Sequence, residues 1–124
     1  MHADREEASA TITLGLCVAY RGAPEEGLAL LRDGLAVARR AADGYELQRA
    51  YNGLASVASL TDDLELCRSM SREAVEVAAE YGLSRTDVNA VNIANGAMEE
   101  AAFGTREGMT WFAERALGPW ASPA

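Results

Sequence analysis

The residues in this chain that could do chemistry are few and widely spaced. His2 is its one histidine. A serine or cysteine nucleophile needs a base of that kind held beside it, and a histidine next to the first residue is poorly placed to serve. Acid pairs occur at Glu6-Glu7, Asp62-Asp63 and Glu99-Glu100. Side chains adjacent on a helix diverge by roughly 100°, so none of these pairs converges on a metal ion or works as an acid/base couple by itself. The Glu-x-x-His pairs of a di-iron bundle are missing. Cys17 and Cys67 stand fifty positions apart without a CxxC, and read as buried structural thiols rather than a disulfide. No catalytic residue, metal ligand or cofactor is expected, and the chain reads as non-enzymatic.

Two polar stripes remain. Arg49, Asn52, Ser56 and Ser59 recur at steps of three and four, which places them along one side of a helix. Such a stripe offers hydrogen bonds to a peptide or a small polar ligand; it equally suits a face that meets only water. Asn89, Asn92 and Asn95 form a second stripe, for which capping and helix–helix hydrogen bonds are an equal explanation.

The background composition narrows the partners. The 124 residues suit one domain, 1–124, and 49% are hydrophobic while only 6% are aromatic, which favours closely packed helices. A formal net charge of −8 argues against direct nucleic-acid binding, which normally needs a basic face. Arg32, Arg39 and Arg40 fit a solvated helix face with cations near its C-terminus. No apolar run approaches the ~18 residues of a membrane span. The opening residues, Met1 to Glu7, lack the basic and apolar regions of a signal peptide, so the expected location is cytoplasmic.

The elements that must position these side chains are helical. Leu28, Leu31, Leu35 and Ala38 follow a helical period, as do Cys67, Met70, Ala74, Val77 and Tyr81, and Met109, Phe112, Ala113 and Ala116. Pro24 marks a helix start, as do Thr61-Asp62-Asp63 and Ser84-Arg85-Thr86-Asp87. Stops are expected at Gly22, Asp43-Gly44, Gly82, Gly104 and Gly118-Pro119, with Tyr81-Gly82-Leu83 as a Schellman end. Six helices result, at about 3–21, 24–42, 45–60, 63–81, 86–103 and 106–117, each antiparallel to the next. Thr11 to Tyr20 alternates apolar and polar residues like a strand. The repeat register argues for a helix there, because the matching stretch around Leu54 and Ala55 is rich in alanine and serine.

That register is a weak internal repeat: Gly34, Ala74 and Ala116 fall forty and forty-two residues apart. Leu14-Gly15, Leu54-Ala55 and Gly96-Ala97 occupy equivalent places in first helices, and Gly27/Gly34, Cys67/Ala74 and Ala116 in second helices. A fixed period of this kind indicates stacked helical hairpins that share a core. In these pairs the chain resembles the tetratricopeptide-repeat (TPR) family, with a period longer than the usual thirty-four or so. It is similar to the arrays of LuxR-type ATPase transcriptional regulators, although no P-loop and no helix-turn-helix are present. It departs from the pattern at Leu31, Ser71 and Ala113, where an aromatic is usual, and at Glu100, where an apolar residue is commoner.

The resemblance implies an all-α fold of three TPR-like hairpins, at about 8–43, 45–82 and 86–118, forming a short right-handed α-solenoid. It implies a scaffold that holds a protein or peptide, as a module or fragment of such a regulator. In that register Tyr20, Arg49, Asn52, Ser56, Ser59, Met98 and Ala102 face a concave, partner-binding surface. Trp111, Phe112 and Trp120 gather aromatic area at the C-terminal end, where either Trp120 folds back or a second copy covers the last face. Homodimerisation through that end is therefore expected. Two other readings differ in their geometry. A small-molecule sensor requires an enclosed apolar pocket around Leu16, Tyr20 and Met98. An enzyme requires ionisable groups converging near Tyr20 in a dimer-interface pocket.

Overall fold

The structure, a computed structural model, describes residues 2–121, with the side chains of all but His2, Phe103 and residues 118–121. The described chain forms six α-helices and contains no strand: α1 (His2–Tyr20), α2 (Pro24–Ala41), α3 (Gly44–Leu60), α4 (Leu64–Glu80), α5 (Asp87–Phe103) and α6 (Arg106–Ala121). Each helix packs on the next, and α1 also reaches α3.

Local chemistry sets the helix ends. Asp43 accepts a hydrogen bond from the Glu46 backbone N–H (3.0 Å), Asp63 from that of Leu66 (3.1 Å), and Thr86 from that of Asn89 (3.2 Å). Each side chain satisfies a donor that the first helical turn leaves over. The exits of α1 to α4 share one construction. Leu83 N–H donates to Ala78 O at 2.7 Å across Gly82, which has φ +73°. Ala23 to Val18, Asp43 to Ala38 and Asp63 to Ala58 repeat that bond. The residue turned left-handed is Gly22, Ala42, Asp62 or Gly82, so these Schellman turns fall every twenty residues.

Two ends differ from the expected punctuation. The left-handed turn after α2 falls on Ala42, and Gly44 begins α3 instead of ending α2. Asp43, as the α3 cap, fixes that boundary. At the other end, α6 continues through Gly118-Pro119 to Ala121. Pro119 has no N–H to donate to the Arg115 carbonyl, so that last turn lacks one helical bond.

Buried residues form two clusters. The larger joins α1 to α4 through residues such as Ile12, Leu31, Leu54, Val57 and Ala74. In α1, Ala8, Ile12 and Ala19 are buried while Leu14 and Tyr20 are exposed, so the helical period overrides the strand-like alternation. Close approach of α1 and α2 depends on glycine. A Cβ at Gly34 would lie 2.7 Å from Ile12 Cγ1, and one at Gly27 would lie 2.7 Å from the Gly15 carbonyl oxygen. The smaller cluster centres on Val75, Ile93 and Phe112 between α4, α5 and α6. Helix α4 thus contributes Ala74 and Val77 to one core and Val75 to the other.

Candidate ligand-binding cleft

Helices α1, α3, α4 and α5 surround an open cleft of about 480 Å³. Its α3 wall carries Asn52, Ser56 and Ser59, spaced so that a regular helix turns all three the same way. Tyr20 enters from the end of α1 and is 59% exposed, and Met98 of α5 is 68% exposed. Ala102 lines it too. The structure therefore brings together Tyr20, Asn52, Ser56, Ser59, Met98 and Ala102.

Arg49 is the member of the α3 stripe that stays out of this lining. Its guanidinium donates to Glu46 Oε2 at 2.8 Å and to Thr13 Oγ1 at 3.0 Å, with Ser9 Oγ at 3.5 Å. Glu46 is buried and needs that cation, and the bond to Thr13 ties α3 to α1.

The floor holds side chains that no binding assignment from the sequence had named. Asn92 is 3% exposed, and neither its Nδ2 nor its Oδ1 has a hydrogen-bond partner. A buried carboxamide normally uses both groups. Glu99 also lines the cleft and accepts a 2.8 Å hydrogen bond from Ser71 Oγ. Cys67 packs beneath it: burial, then the negative charge of Glu99 and a hydrogen bond to it, push the thiol up to about 12. The Asn89/Asn92/Asn95 spacing was the available signal for this floor, and the structure divides that stripe. Asn89 is engaged elsewhere, donating from Nδ2 to Ser84 O at 2.9 Å and accepting at Oδ1 from Gln48 Nε2 at 3.5 Å, whereas Asn92 and Asn95 line the cleft.

Glu100, adjacent to Glu99, turns elsewhere. Its carboxylate accepts hydrogen bonds from Arg68 Nε at 2.9 Å, from Arg68 Nη2 at 3.1 Å, and from the Thr105 backbone N–H at 3.0 Å. The bond from Arg68, opposed by burial and helped by Thr105, holds its pKa below the usual carboxylate range. This ion pair accounts for an acid at a position where the resemblance would place an apolar residue.

One aromatic expected at the oligomer face, Phe112, is not at the surface. Phe112 is fully enclosed (0% exposed), within its own chain and against Gly96, and has no surface left for a second copy. Trp111 meets it edge-on, with ring centroids 4.8 Å apart. The guanidiniums of Arg115 and Arg72 lie 3.6 and 4.9 Å from the Trp111 ring centroid. The Trp120 side chain lies outside the described residues.

Leu16, expected beside Tyr20 and Met98 in a sensor, instead packs on the larger core near Gly53. A second cavity, of about 350 Å³, opens between α4, α5 and α6 over Val75, Ala79 and Ile93. Among the described residues no three His, Cys, Asp or Glu side chains are grouped to hold a metal ion. Nor is any described helix long and apolar enough to cross a membrane. Comparison of the chain with protein-family models, curated proteins and solved structures finds no match.

Proposed function

We propose that this chain binds an extended peptide segment in the cleft between α1, α3 and α5 and catalyses no reaction. The observation that carries the reading is Asn92, whose buried carboxamide offers a donor and an acceptor with no partner of its own. A peptide unit presents the complementary pair, one C=O and one N–H. Asn52, Ser56, Ser59 and Asn95 supply further polar contacts along the walls, and Tyr20, Leu60 and Met98 supply apolar area. An open cleft with this mixed lining suits a chain segment better than an enclosed apolar ligand.

Binding without chemistry is supported by the lining itself. Glu99 is its one carboxylate, with no second acid, histidine or cation in the wall, whereas acid/base catalysis generally pairs groups of separated pKa. The Schellman turns at twenty-residue intervals support a stacked-hairpin, TPR-like reading of the fold.

Asn92→Leu provides the test. Removing an unpartnered buried amide should raise unfolding stability by about 1 kcal/mol, while peptides selected on the wild-type protein from a displayed random library lose their binding. In NMR titrations those peptides should shift the Asn92 side-chain amide and the backbone amides of Asn52 and Ser56. Selected peptides that bind Asn92→Leu equally well, or that shift only distant residues, would overturn the reading.

A further inference from the structure

Glu99 is the feature of the cleft that peptide binding in general leaves unused. Its carboxylate accepts from Ser71 Oγ at 2.8 Å, so a neutral donor holds it from the α4 side. It has no cation. The ion pairs Arg5–Asp43, Arg40–Glu7, Arg49–Glu46 and Arg68–Glu100 do not include Glu99. The basic side chains on the neighbouring face of α4 are committed elsewhere, Arg68 to Glu100 and Arg72 to the Trp111 ring. No lysine or arginine lines the cleft. A half-buried carboxylate held by a neutral donor has charge left to satisfy, which an incoming cation can do.

The surroundings fit a long cationic side chain. Met98 and Tyr20 stand on the same cleft and can cover an aliphatic stem, while the charged head reaches the acid below. The formal net charge of −8 attracts such a segment from a distance. Asn92 adds the second, independent mark of a ligand, a buried amide free to hold the segment's backbone next to its side chain.

Resting on the peptide reading, we propose that the bound segment carries a lysine or arginine and delivers its cation to Glu99. The acid selects the ligand by charge, and Asn92 recognises it as peptide.

The experiment selects binders from a displayed random-peptide library on three proteins: wild type, Glu99→Gln and Glu73→Gln. Glu73 is an exposed α4 acid outside the cleft lining, so its variant matches the change in net charge. Wild type and Glu73→Gln should enrich peptides with a basic residue at one fixed position. Glu99→Gln should lose that preference and bind the wild-type winners roughly tenfold more weakly. Melting temperatures of the three proteins show whether each is folded. If Glu99→Gln is misfolded, the winners are resynthesised with glutamine at the basic position, and the wild type should bind these roughly tenfold more weakly. Enrichment without any basic preference, or an equal loss in both variants, overturns the cation assignment and leaves peptide binding standing. Failure to enrich any peptide on the folded wild type overturns both.

Discussion

Adjacent carboxylates on α5 meet unlike surroundings, and the difference is one of pairing. Glu100, with a side chain 1% exposed, can be ionised there only because Arg68 and the Thr105 N–H take up its charge. A depressed folded pKa means that its stabilising contribution is complete above the ordinary carboxylate value of about 4.3. The contribution is lost as pH falls from there through the lower folded value. Glu100→Gln should therefore cost about 2 kcal/mol at pH 7, read from urea unfolding, with the gap to wild type closing in acid below about pH 4. A gap unchanged with pH would show that the charge contributes nothing. Cys67, held as a thiol by burial and by Glu99, should resist labelling by a disulfide reagent at pH 8 until the chain unfolds. Cys17, expected to be buried like Cys67, is instead exposed on α1 and should label at once. The divergence of Glu99 from Glu100 follows from helical geometry and was open to sequence reasoning. Which of them finds an arginine was not, because Arg68 lies thirty-two residues away.

At the scale of the element, the positive-φ turns invite a direct test. Ala42 occupies a conformation (φ 50°) that strains a side chain and leaves glycine unstrained. Ala42→Gly should raise stability by about 0.5–1 kcal/mol, and Gly82→Ala should lower it by a similar amount; thermal unfolding reads both. If Ala42→Gly is neutral or destabilising, the entropy that glycine loses on folding outweighs the relief of strain. Helices α2 and α4 were legible because apolar period and end signals agree there. In α1 the local alternation suggested a strand, the repeat register was needed to read a helix, and three-dimensional burial selects Ala8, Ile12 and Ala19. The α3 wall was legible for the same reason: Asn52, Ser56 and Ser59 share a stripe whatever lies opposite. Arg49 continues that stripe, yet Thr13 and Glu46 take it. Phe112 fits the smaller core only because Gly96 leaves room for its ring, a contact between helices that no pattern within α6 encodes.

At the scale of the molecule, the two cores are unequal. The cluster joining α1 to α4 is the broader, and the one beyond α4 rests on Val75, Ile93 and Phe112 with partly buried neighbours. Amides of α5 and α6 should accordingly exchange with deuterium faster than those of α2 and α3, because local opening follows buried apolar contact. Equal rates would show that both cores open together. The cleft runs from α3, which packs in the larger core, to α5, which packs in the smaller. Anything lodged there leans on both, so occupancy should slow exchange chiefly in α5, the helix with more protection to gain. The shared helix α4 then acts as a common spine, and a ligand opposite it works as a clasp that lends the weaker half the persistence of the stronger.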